Sequence, residues 1–86
     1  NYKMAEAFLY KKLLNNPNQL FLHVEIGYNF DRQQKKDAAK NEYLAAIASI
    51  ENNPNMGGLI GRMFQENNLL DYAIEAYSKT MTLNKN

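Results

Sequence analysis

The chain has 86 residues and a mass of 9.9 kDa, with ten basic against nine acidic side chains and a net charge of +1, so it is at most one small domain or a piece of a larger one. A chain of this length buries only about 60–65% of its unfolded surface, so its core is modest. It has no cysteine, which excludes a disulfide framework and any cysteine-based metal site and leaves the redox compartment open. Near-neutral charge counts against nucleic-acid binding, which draws on a strong basic excess.

The N-terminal stretch "NYKMAEAFLYKK" carries scattered charge and no signal-peptide design. Its pattern predicts a first helix over 2–14. In "QLFLHVEIGYNF", Leu22, Ile26 and Phe30 recur at four-residue spacing, which predicts a second helix over 18–31. The apolar run Leu20–Leu22 is interrupted by His23 and Glu25, and no stretch is long and apolar enough for a transmembrane helix. "DAAKNEYLAAIASI" places Ala39, Tyr43, Ala46, Ile47 and Ile50 on one face, with Lys40, Glu42 and Ser49 off it, a third helix over 36–52. A fourth helix over 55–66 follows. The fifth, over 69–83, repeats the stripe with Ala73, Ala76, Tyr77 and Met81. Both prolines sit in an "NNPN", where Asn offers an N-cap and Pro suits a first helical turn. No stretch alternates for long enough to be a strand, so the chain reads as all-α.

Two spacings compete. The "NNPN" copies at Asn15 and Asn52 stand 37 residues apart. Ala5, Ala39 and Ala73 stand 34 apart, as do Leu9, Tyr43 and Tyr77, and Leu13, Ile47 and Met81. "IGYNF" at 26–30 matches "IGRMF" at 60–64 on the same step, and Asp37 matches Asp71. A fixed step of this size is the signature of a helical repeat. The period is 34. The 37 arises because nearly one helical turn has moved across the loop between neighbouring helices.

These landmarks resemble the tetratricopeptide repeat family, whose pattern is a hydrophobic–Gly pair, an aromatic three residues later, then small, aromatic and small positions in a second helix. Here they read Ile26-Gly27, Phe30, Ala39, Tyr43 and Ala46, and again Ile60-Gly61, Phe64, Ala73, Tyr77 and Thr80. Residues 2–17, with Ala5, Leu9, Leu13 and Pro17, are similar to the second helix of a preceding repeat, followed by repeats over 20–53 and 54–86. Departures are Gln34 and Asn68 where a turn glycine is usual, and His23 and Gly57 where a tryptophan is common. The resemblance implies a right-handed α-solenoid of antiparallel helix pairs, with a concave face that binds a peptide or helix of a protein partner. It implies a scaffold and not an enzyme. The alternative is an architectural spacer of a larger repeat protein with no ligand of its own.

The residues themselves offer little chemistry. His23 is the only histidine and has no acidic partner at helical ligand spacing, so it reads as partly buried or at a groove edge. "GGLIG" at 57–61 has neither a preceding strand nor a following Lys-Ser/Thr, which rules out a phosphate loop and leaves close helix packing and a soft helix. Lys35, Lys36 and Lys40 are interleaved with Asp37 and Glu42 and read as a solvated helix start. No catalytic set, metal site or cofactor site emerges. By the resemblance, the candidate partner-binding residues are Phe21, Val24, Tyr28 and Asp31 on one helix and Asn55, Arg62 and Gln65 on the next, with Gly58 between. Tyr28 and Arg62 are register-equivalent, which suggests a cation–π pair or a shared peptide contact. The lysine/asparagine clamp that some family members use for acidic C-termini is absent. The expected partner is a protein or peptide, with no nucleic acid and no membrane. Self-association through uncapped ends is a further expectation, and the chain reads as a segment of a longer array.

Overall fold

The computed structural model describes residues 1–84. Five α-helices appear in the order α1 (Tyr2–Asn15), α2 (Leu22–Arg32), α3 (Lys36–Ser49), α4 (Gly57–Glu66) and α5 (Leu70–Leu83), with a 3₁₀ turn over Pro54–Met56 before α4. There is no strand among the described residues, and none of the helices is long and apolar enough to cross a membrane. The body is elongated, 45 × 27 × 19 Å.

Helices α2 and α3 are joined by three residues, 33–35, and α4 and α5 by three more, 67–69. Links this short turn the chain back on itself, so each pair is a helical hairpin. Both turns are built alike. Gln34 (φ 64°) and Asn68 (φ 61°) sit in the left-handed region, exactly one 34-residue step apart in numbering. The Lys35 N–H donates to the Phe30 carbonyl and Gln34 N–H to Asp31; Leu69 N–H donates to Phe64 and Asn68 N–H to Gln65. This is the Schellman arrangement, which satisfies helix-end carbonyls and normally uses glycine.

Within each hairpin a glycine admits the aromatic ring of the facing helix. A Cβ on Gly27 would lie 2.5 Å from a Tyr43 ring carbon, and one on Gly61 would lie 2.5 Å from a Tyr77 ring carbon. The hairpins meet through Tyr43, whose ring stands edge-on to Phe64 at 5.5 Å between centroids and against Tyr72 at 4.9 Å. Around this trio lie Val24, Ala39, Ala46, Ile47, Ile50, Ile60, Ala73 and Ala76, all buried. Such aromatics bury on the order of 150–250 Å² each, which makes them the largest single contributors to a core this small.

Several expectations change in detail. Helix α2 begins at Leu22 and not near 18, because residues 19–24 first run through tight i→i+3 hydrogen bonds, Leu22 N–H to Gln19 and Val24 N–H to Phe21 among them. Helix α3 ends at Ser49 and not at 52, where Asn53 folds its N–H back to the Ser49 carbonyl. Pro54 does open a helical turn, whereas Pro17 lies outside any helix. Three asparagines act as helix stops: Asn16, Asn53 and Asn67 donate their side-chain amides to the carbonyls of Lys12, Ser49 and Met63. Among the described residues only Asn1 works as a side-chain N-cap, accepting from the N–H groups of Lys3 and Met4. Met81, expected on the buried stripe of the last helix, is instead exposed, because no element among the described residues covers that side of α5.

Helix α1 differs from the rest in having no buried residue. Leu9 and Leu13 are half-buried against the neighbouring hairpin, and polar ties complete its attachment. Asn29, buried inside α2, donates its amide to the Tyr2 carbonyl at 3.1 Å. The Arg32 guanidinium stands between two rings, 5.7 Å from the centre of Tyr2 and 5.8 Å from that of Tyr28.

Candidate functional site

The first helices of the two hairpins, α2 and α4, flank an open cleft of about 320 Å³ lined by Glu25, Tyr28, Met63, Glu66 and Asn67. Its position follows from the repeat: equivalent helices placed side by side leave a furrow between them. Of the residues expected there, Tyr28 lines the cleft and is 36% exposed. Arg62 and Asn55 are exposed on the second hairpin and its leading turn, outside the cleft lining. Gly58 is exposed too, with open space where a side chain would stand.

Four of the candidates are committed elsewhere. Val24 has no exposed surface and belongs to the core, so it offers nothing to a partner. Phe21 is half-buried and packs against that core. Asp31 accepts the Tyr43 hydroxyl at 2.6 Å and the Lys36 ammonium at 3.0 Å. Gln65 accepts the Tyr77 hydroxyl at 3.1 Å, the register-equivalent bond in the second hairpin. The cation over Tyr28 is Arg32 from the same helix, not Arg62.

These commitments leave their mark on proton affinities. Burial by itself would raise the Asp31 carboxyl, but the hydrogen bonds from Tyr43 and Lys36 outweigh it and hold the group below the usual carboxylate range. Burial, followed by the bond to Asp31 and its charge, drives the Tyr43 hydroxyl far above its ordinary value. Tyr72 is raised by burial and by the nearby carboxylates of Asp31, Glu75 and Asp71.

A second polar cluster was not legible in the sequence. Glu42 joins three helices: its Oε1 lies 2.7 Å from His23 Nδ1, and its Oε2 accepts the Tyr10 hydroxyl at 2.8 Å. His23 is therefore paired across the hairpin by a residue 19 positions away, beyond the reach of any local spacing rule. Burial, then the Glu42 bond and charge, push Tyr10 up to about 12. No group of three or more His, Cys, Asp or Glu among the described residues is placed to hold a metal ion.

The cleft-lining residues Glu25, Met63, Glu66 and Asn67 were also missed. They lie beside Tyr28 only because α2 and α4 are adjacent, which a repeat register implies but a single-helix stripe does not display. Among the described residues neither Glu25 nor Glu66 enters an ion pair. The cleft therefore offers an aromatic ring, a thioether and two carboxylates that have no ion-pair partner among the described residues. Compared with known protein families, curated proteins and solved structures, the chain matches none.

Proposed function

We propose that the chain is a segment of tetratricopeptide-like helical repeats, a right-handed solenoid that serves as a non-enzymatic protein-interaction scaffold. Its ligand is a peptide or helix of a partner protein, held on the face formed by α2 and α4. The observation that carries this reading is Tyr28, an aromatic side chain left partly exposed on the wall of the cleft between those helices. Interfaces concentrate their binding energy in such half-exposed aromatics and in arginine, and Arg62 is exposed on the second of the two helices. Support for the repeat comes from the 34-residue register, because Gly27 and Gly61, Tyr43 and Tyr77, and Gln34 and Asn68 play paired local roles.

One observation favours the architectural alternative. Met4, Phe8 and Leu14 on α1, and Ile74 and Met81 on α5, are exposed apolar side chains on the outer sides of the array. A spacer between other units would cover them.

The test is a quantitative pull-down from source lysate using the chain and its Tyr28→Ala/Arg62→Glu variant, after circular dichroism has matched their helix contents. A partner recovered by the chain and lost from the variant supports the α2/α4 face. Identical recovery from both, or recovery of nothing, removes that face as the ligand site and leaves the spacer reading ahead.

A further inference from the structure

Helices α3 and α5 lie side by side and run in the same direction. Two contacts fix their relative position: the Tyr43 and Tyr72 rings meet at a tilt, and Lys79 reaches Glu51 just past the end of α3. The side of α3 that looks toward the C-terminal hairpin includes Tyr43 and Ile47, and the side of α5 that looks back includes Tyr72 and Ala76. The 34-residue register carries both sides outward. One step beyond Tyr43 and Ile47 stand Tyr77 and Met81 on α5, and two steps before Tyr72 and Ala76 stand Met4 and Phe8 on α1. Met4, Phe8 and Met81 are exposed, and Tyr77 is half-buried. Met81 is 73% exposed where Ile47 is 4%, and Phe8 is 65% exposed where Ala76 is 0%.

The two bare faces thus have the form of the two halves of a contact the chain already makes once. From this we infer that a second copy of the chain docks head to tail, the α5 face of one copy against the α1 face of the next, repeating the α3–α5 contact between molecules. The same offset places Tyr77 against Met4 and Met81 against Phe8 across the junction. It also brings the acidic first half of α5, with Asp71 and Glu75, to the Lys3 end of α1. None of these three charges has an ion-pair partner within the described residues. Lys11 and Lys12, which line an open hollow beside Phe8, add to the positive character of the α1 face. Charge and apolar surface therefore favour α1 against α5 over either face against itself.

Because the two faces differ, the contact is heterologous and does not close on a pair; successive copies add in an open line. Each helix has 14 residues, about 21 Å of length. A junction built mainly from two such helices falls below about 1,200 Å² of buried area, the range of weak encounters. Weak encounters of this size are sought at about 10 μM to 1 mM.

Sedimentation equilibrium across that concentration range tests the inference with Phe8→Glu and Met81→Glu, both at exposed positions and both checked for helix content. The chain alone is expected to rise in average mass beyond two copies. Each variant alone stays at one copy, since one of its two faces is blocked. Mixed in equal amounts, the variants form a species of two copies and stop there, because each supplies the face the other lacks. A chain that remains single at about 1 mM overturns the inference. So does association abolished by one variant and untouched by the other, which would mean that one face pairs with its own kind. The α2/α4 cleft plays no part in this experiment, so its outcome is independent of the proposed ligand site.

Discussion

Three glycines make a test in which the same chemical change has different consequences. Gly27→Ala would set a Cβ 2.5 and 2.7 Å from Tyr43 ring carbons and 3.1 Å from the Ala39 carbonyl oxygen. Carbon atoms rest at about 3.5–4.0 Å, so the ring must retreat by about 1 Å. It has nowhere to go: Tyr43 is 2% exposed, stands between Phe64 and Tyr72, and is tethered through its hydroxyl to Asp31. Overpacking of this kind costs about 1–3 kcal/mol, and this position belongs at the upper end. Alanine returns about 0.5–1 kcal/mol through its better helix propensity, leaving a net loss of about 2 kcal/mol. Gly61→Ala would set a Cβ 2.5, 2.7 and 2.8 Å from Tyr77 ring carbons. That ring is only half-buried and its hydroxyl rests on exposed Gln65, so it can swing outward, and the net loss is about 1 kcal/mol or less. Gly58→Ala, three residues earlier on the same helix, meets nothing within 4 Å and stabilises by about 0.5–1 kcal/mol.

The assay is urea unfolding followed by circular dichroism. With a slope of about 1 kcal/mol/M, the midpoint falls by about 2 M for Gly27→Ala, falls by about 1 M or less for Gly61→Ala and rises by about 0.5–1 M for Gly58→Ala. If all three moved in the same direction, or if Gly58→Ala cost as much as Gly27→Ala, the close approach of helix and ring would not be what holds the hairpins together.

Gln34→Gly relieves a left-handed backbone that costs a side-chain-bearing residue about 1–2 kcal/mol; after the added freedom of the unfolded chain, a gain of about 1 kcal/mol is expected in the same urea assay. Asn68→Gly gains less, since asparagine tolerates this conformation better. Stability should also fall at both ends of the pH scale, as measured by urea midpoints from pH 3 to 12. Tyr10 and Tyr43 are raised on folding, so their contribution is complete below a pH of about 10 and is lost as pH climbs, for Tyr10 through about 12. Asp31 is lowered, so its contribution is complete above a pH of about 4 and is lost as pH falls below that. Tyr43→Phe removes the shared hydrogen bond and flattens both limbs; a pH profile identical to that of the parent would mean that the bond to Asp31 contributes nothing to folding.

The 34-residue step made the helices and their faces legible because packing repeats where identity repeats. Gly27 and Gly61, Ala39 and Ala73, and Tyr43 and Tyr77 are small or aromatic for a geometric reason that recurs. What stayed hidden depended on distance in the chain or on a missing neighbour. Glu42 reaches His23 and Tyr10 only after three helices have assembled, and no local spacing announces it. The family pattern places Val24 on the inner, ligand-facing side of its helix, yet Val24 is fully buried in the core. Periodicity assigns Met81 to the interior, yet its side of α5 has nothing among the described residues to pack against. The start of α2 slipped from 18 to 22 because a run of tight turns carries the same apolar spacing as a helix for one turn. Of the candidate site, Tyr28 was legible as a residue, whereas the rest of its cleft belonged to the relation between α2 and α4.

The chain has no tryptophan, so light absorbed in the near ultraviolet reports on its tyrosines. One of them, Tyr43, touches rings from both helices of the other hairpin, Phe64 on α4 and Tyr72 on α5. Its optical activity therefore depends on the two hairpins being docked, whereas the far-ultraviolet signal depends only on each helix being wound. Comparing the two bands during unfolding separates the parting of the hairpins from the melting of their helices, with no dye and no label.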